Sequence, residues 1–219
     1  MESGFEVPGA GRVSALLTLP DDARWLYVAA HGAGAGMRHP FMERIADALA
    51  GKGIATFRYQ FPYMEQGKRR PDTPRVAEAA VRAAVEAARA AAPRVPLIAG
   101  GKSFGGRMTS SSHAVEPLPG VEGLAFLGFP LHPPGRPGTG RAAHLDQVRI
   151  PMLFLQGTRD TFADPDLLRP VCEGLSPRAT LHPVEGGDHS FKVLKRSGRS
   201  EADVMGELAG AIADWTTRL

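Results

Sequence analysis

Three side chains that together can activate an alcohol stand far apart in this chain: Ser103, Asp160 and His189. A serine hydroxyl is a poor nucleophile at neutral pH. It needs an imidazole to take its proton and a carboxylate to orient that imidazole. Ser103 lies in Gly101-Lys102-Ser103-Phe104-Gly105, directly after the apolar run Leu97-Ile98-Ala99. The pattern G-x-S-x-G, with a strand before it and a helix after it, describes a sharp turn that lifts the hydroxyl clear of a sheet. Side chains two residues either side of the serine would clash in such a turn, so both places call for glycine. The chemistry open to the trio is attack on an acyl carbon.

Two nucleotide readings compete for the same glycines. Gly101-Lys102-Ser103 ends like a phosphate-binding loop, G-x-x-x-x-G-K-S. Pro96 stands where that loop needs its first glycine, and proline has no amide proton to offer a phosphate. His31-Gly32-Ala33-Gly34-Ala35-Gly36 follows the apolar run Trp25 to Ala30 and could suggest a dinucleotide fold. Met37 stands where the third glycine of G-x-G-x-x-G belongs, and Arg58-Tyr59 stands where an acidic ribose ligand is expected. A glycine loop after this strand can instead lend a backbone amide to an oxyanion. Ala33 is the expected donor, with Gly34 as the alternative, and the amide of Phe104 completes the pair. His31 is expected to brace the loop.

The elements that must position these groups follow from patterning. Apolar runs at Trp25–Ala30, Ile54–Tyr59, Leu97–Ala99, Gly123–Phe129, Pro151–Gln156 and Ala179–Val184 read as strands, most of them buried on both faces. A first strand is expected at Val13–Leu19. Between the strands, Phe41, Met42, Ile45, Ala46 and Leu49 recur at helical spacing. Thr73-Pro74 opens an Ala-rich helix that runs to Ala92. A helix is expected from Gly105 to about His113, another near Pro165 to Glu173, and an amphipathic one through Val204, Leu208, Ile212 and Trp215. Alternating strands and helices imply an α/β fold, a mostly parallel sheet covered on both faces, with minimal or no cap domain. Residues 1–219 then form a single domain. Ligands gather at the carboxyl ends of strands in such sheets. Ser103, Asp160 and His189 each follow a strand, so they can meet there. Asp164 is the nearest rival acid, and Asp188 is expected to support the site from behind or to face solvent. Phe61, Tyr63 and the loop 130–140 are expected pocket walls.

The totals exclude several classes. The chain has 219 residues, 43% apolar and 22% charged, which suits a globular domain with a sizeable core. No apolar stretch is long enough to span a bilayer, and the first residues carry no secretion signature. Cys172 is the only cysteine, so no internal disulfide forms and a cytoplasmic setting is expected. The net charge of +3 is mild. The basic clusters, Lys68-Arg69-Arg70 and Lys192 to Arg199, lack the aromatic interleaving of a nucleic-acid surface. Neither nucleic acid nor membrane is an expected partner, and the sequence sets no oligomeric state.

His31-Gly32-Ala33-Gly34, Arg58 to Tyr63, Gly101 to Arg107 and Gln156 to Asp160 together resemble the α/β-hydrolases along nearly the whole chain. Within them they resemble a small dienelactone-hydrolase-like branch. That branch includes the hydrolase-like domains of a testis-expressed protein and of a histone-acetyltransferase-complex subunit. Dienelactone hydrolases proper carry cysteine as nucleophile, and Ser103 departs from that. The resemblance implies the α/β-hydrolase fold, a Ser-Asp-His triad in that chain order and a small-molecule acyl substrate, with no metal or organic cofactor. A carboxylic ester is the expected substrate. Acyl transfer and a non-catalytic interaction module are the alternatives.

Overall fold

The computed structural model describes all 219 residues, and one eight-stranded sheet runs through it. The strands are β1 (Glu2–Val7), β2 (Gly11–Thr18), β3 (Trp25–Ala30), β4 (Ile54–Tyr59), β5 (Leu97–Lys102), β6 (Val121–Leu127), β7 (Met152–Gly157) and β8 (Ala179–Val184). Their order across the sheet is β1-β2-β4-β3-β5-β6-β7-β8. From β4 to β8 every pairing is parallel, while β1 and β2 join antiparallel at one edge. The order doubles back at β3, so the loops after β3 and β5 leave neighbouring strands in the middle of the sheet. That is where a crevice opens in sheets of this kind.

The helices are α1 (Pro40–Ala50), α2 (Pro62–Glu65), α3 (Pro74–Ala91), α4 (Phe104–Val115), α5 (Pro165–Gly174) and α6 (Glu201–Thr216). Proline occupies the first turn of α1, α2, α3 and α5, where its missing N–H leaves no hydrogen bond unmade. Ser200 and Asp203 close a capping box at the start of α6.

Strand alternation divides the core in two. On β3, Leu26, Val28 and Ala30 face the larger cluster, which α3, α4 and α5 cover with residues such as Val81, Met108 and Leu168. Tyr27 and Ala29 face the smaller cluster, built with Ile45 and Leu49 of α1 and Leu208 and Ile212 of α6. This two-sided burial explains why β3, β5 and β7 read as unbroken apolar runs.

Three elements differ from expectation, the first being the single helical turn α2 in the aromatic stretch after β4. β1 pairs residue for residue with β2, although its polar sequence gave no strand signal. Most of it is exposed or half-buried at the sheet edge, so it does not need the apolar alternation of an inner strand. The segment after Pro130 is loop as expected, but it runs into a 3₁₀ helix, Gly140–Gln147, packed on α4. No helix is long and apolar enough to cross a membrane.

Candidate active site

Ser103 sits between the end of β5 and the start of α4, with φ 50° and ψ −114°. A positive φ is unusual for a residue with a side chain and stores strain that the surroundings must hold. Those surroundings are tight. A Cβ at Gly101 would stand 2.1 Å from the carbonyl oxygen of Ala30, and one at Gly105 would stand 2.6 Å from that of His31. Both glycines of the G-x-S-x-G turn are therefore fixed by the strand and loop beside them. The Ser103 amide donates to the carbonyl of Leu127 at the end of β6, pinning the turn to a third element. The N-terminus of α4 follows at once, and its partial positive charge favours negative charge beside the serine.

The imidazole arrives from the loop after β8. His189 Nε2 is 2.8 Å from Ser103 Oγ, and Nδ1 is 2.7 Å from Asp160 Oδ2. A carboxylate can only accept, so Nδ1 carries the proton and Nε2 is free to accept the serine hydroxyl. Asp188 shapes the loop by accepting the amides of Ser190 and Lys192. Asp160 follows β7 in a tight turn, its side chain wholly buried. Its Oδ2 also receives Gln156 Nε2 at 2.5 Å, and its Oδ1 receives the Phe162 amide at 2.8 Å. These donors hold the carboxylate in place and satisfy its charge out of water. Asp164, the rival acid, accepts the amide of Asp166 as the cap of α5, which leaves it no part here.

The loop after β3 lies opposite. His31 is fully buried, and the Phe61 amide donates to its Nε2 at 3.0 Å. Nδ1 therefore bears the proton and donates to the Gly32 carbonyl at 2.8 Å. Burial lowers its pKa to about 4, so it is a neutral brace, in keeping with the role expected of it. The Gly34 amide donates to Tyr63 Oη at 3.1 Å, which removes it as a donor to substrate. The amides of Ala33 and Phe104 make no hydrogen bond within the protein.

Phe61 and Tyr63 do not line the cleft. Both are fully buried behind the glycine loop, with Phe61 ring-to-ring against His31 at 5.0 Å. An aromatic loop after a strand looks alike in sequence whether it faces solvent or the core, and here it braces the loop. The stretch 130–140 also stays out of the lining. The walls are instead Phe41 and Met42 at the start of α1, with His39 before them, and Phe162 after β7. Phe162 lies 4.2 Å from the His189 ring. Phe41 and Met42 carried a legible apolar signal, but a helical stripe reads as core. Phe162 carried none beyond its closeness to Asp160.

The cleft holds about 370 Å³ and reaches both Ser103 and His189. A larger depression of about 620 Å³ lies at the other end of the sheet, between the end of α3 and the start of β5. None of the three groups lines it, so size does not mark the site. Cys172 is buried on α5 with its pKa pushed up to about 12, which makes it an inert apolar residue.

Residues 23–217 match the sequence family described as alpha/beta hydrolase domain. Among solved structures, the chain is similar to an a/b serine hydrolase without lid from Xanthomonas campestris, at 22% identity and a TM-score of 0.75. That likeness covers 98% of this chain and 94% of the other. It is similar to a dienelactone hydrolase from Anabaena variabilis at 17% identity and a TM-score of 0.77, covering 100% and 97%. It is also similar to the esterase domain of a Rhodothermus marinus protein at 18% identity and a TM-score of 0.74, covering 100% and 98%.

Proposed function

The chain belongs to the alpha/beta hydrolase family, and from that premise we propose that it is a serine hydrolase acting on a small carboxylic ester. The observation that carries this reading is the unbroken relay from Asp160 through His189 to Ser103, with hydrogen bonds of 2.7 and 2.8 Å. His189 takes the hydroxyl proton as Ser103 attacks the acyl carbon. Asp160 holds the ring and stabilises the cation that forms on it. The free amides of Ala33 and Phe104 receive the oxyanion; losing one such donor typically costs about 10²–10³ in turnover. The imidazolium then gives its proton to the leaving alcohol. Water, activated by the same nitrogen, releases the acid and restores the serine.

The cleft supports an ester of modest size. Its walls, Phe41, Met42 and Phe162, suit an apolar acyl or alcohol group, while His39 and Ser190 give it a polar margin. The solved relatives named for serine hydrolase, esterase and dienelactone hydrolase activity point to the same class. A lone cysteine kept as a buried thiol suits a cytoplasmic setting.

A fluorophosphonate probe tests the reading. Wild-type protein is expected to label stoichiometrically and Ser103→Ala not at all; a wild type that stays unlabelled overturns it. Hydrolysis of p-nitrophenyl esters of graded acyl length then reports the size the cleft accepts.

A further inference from the structure

The turn that carries the nucleophile also holds a lysine with no place in the relay. Lys102 is the last residue of β5. Its stem passes Gly32, where a Cβ would stand 3.5 Å from Lys102 Cγ, and the residue is half-buried, lining the cleft beside Ser103 and reaching under the histidine loop. Nζ donates to the backbone carbonyl of His189 at 2.5 Å. It lies 5.9 Å from the ring centroid of Phe41 and 5.4 Å from that of Phe191, two rings that stack 5.8 Å apart. Gly128 closes the cage. A Cβ there would stand 3.0 Å from Nζ, 3.5 Å from Asp160 Oδ2 and 3.6 Å from His189 Nδ1. Ammonium, carboxylate and imidazole therefore border one spot.

The ammonium is held by a carbonyl and two rings and not by a carboxylate in contact. Lys102 forms no ion pair within 4.0 Å. Desolvation outweighs the attraction of Asp160 and Asp188 and lowers its pKa to about 8. An ammonium held against the backbone of the histidine loop, next to the carboxylate that orients the imidazole, points to a role in the reaction.

We propose that Lys102 is a positioning residue for His189, clamping the carbonyl of the histidine loop and setting a positive charge behind the Asp160–His189 pair. The clamp fixes the backbone from which the imidazole hangs. The charge has its own effect. The groups facing the ammonium are Asp160 after β7 and Asp188 and His189 after β8, while α1 and the residues after His189 present the rings of Phe41 and Phe191. A positive charge beside the Asp160–His189 pair opposes a second proton on the ring, and the resting imidazole keeps Nε2 open to the serine.

The inference rests on the serine-hydrolase reading, and its test separates the two. Fluorophosphonate labelling rates are measured from pH 5 to 9 for wild type, Lys102→Met and Lys102→Arg, with thermal unfolding of each. Lys102→Met is expected to label about 10–100-fold more slowly at pH 7, the scale set by a displaced catalytic group. The acid limb of its rate profile should move up by about one pH unit, as expected for loss of a charge several ångströms away. The unfolding midpoints separate a loss of rate in a folded protein from a loss of the fold. Lys102→Arg should keep the acid limb of wild type and recover most of the rate. Should Lys102→Met not fold, Lys102→Arg decides alone: a rate and acid limb like those of wild type support the clamp, and their loss in a folded protein overturns it. A Lys102→Met protein with the rate and profile of wild type overturns the inference while leaving the hydrolase standing. A wild type that takes no probe overturns both.

Discussion

Helix α4 touches two serine–histidine pairs, and only one has the makings of a nucleophile. Ser103 Oγ lies 2.8 Å from His189 Nε2, and Ser110 Oγ lies 2.7 Å from His144 Nε2. By distance alone they are equals. Ser103 is held at a positive φ on a turn that opens to the cleft, whereas Ser110 is an ordinary helical residue with no exposure and a second bond to the Arg107 carbonyl. Behind His189 stands Asp160. Behind His144 there is burial and then Arg107, which together lower its pKa to about 4. A carboxylate makes an imidazolium affordable; a guanidinium and a dry pocket make it costly. The second pair staples the 3₁₀ helix 140–147 to α4. The difference teaches that a serine–histidine hydrogen bond needs a carboxylate behind it and space in front of it.

The sharpest way to break this contrast is to delete each hydroxyl. Ser103→Ala should lose all fluorophosphonate labelling, while Ser110→Ala should label within about twofold of wild type and lose about 1 kcal/mol of stability in urea unfolding. Equal labelling by both alanine variants would erase the distinction. Next in size is the carboxylate itself. Asp160→Asn should lower kcat on a p-nitrophenyl ester by about 10³–10⁴ with little change in unfolding midpoint, making the first pair resemble the second.

A smaller effect is expected behind the glycine loop. Tyr63→Phe frees the Gly34 amide, loosens the loop that carries Ala33, and should lower kcat by about tenfold or less with KM nearly unchanged. The smallest effect concerns pH. His31 and His144 are held neutral in the folded protein with pKa values of about 4, below the usual histidine value of about 6.5. Between those values the unfolded chain binds more protons, so stability falls as pH drops from about 6.5 towards 4. His144→Gln should flatten that slope in denaturant midpoints without moving the acid limb of the labelling profile. A shift of that limb would mean that the second pair communicates with the first.

The fold was legible where strands are buried on both faces and glycine or proline punctuates them. β1 was not, because an exposed edge strand needs no apolar pattern. Ser103, Asp160 and His189 could be picked out because a strained turn and two strand ends constrain which residue types can stand there. The cleft walls were hidden by a shared vocabulary: Phe41 and Met42 look like any core stripe, while Phe61 and Tyr63 look like a pocket and are core. Ser110 and His144, 34 residues apart, meet only through the packing of a 3₁₀ helix that the Pro- and Gly-rich run before it concealed. Lys102 read as the tail of a failed phosphate loop, since nothing local tells a solvated lysine from one caged by residues from three distant segments.

Phe41 looks two ways at once, towards the cleft and towards the ammonium behind the histidine loop. On the ester reading proposed above, any lineage or engineer seeking room for a bulkier substrate would trim that ring first. On the clamp proposed for Lys102, the same change unseats the lysine, so appetite and speed are inherited together. Variants that broaden what this protein accepts should turn over slowly until a new neighbour for the lysine is found.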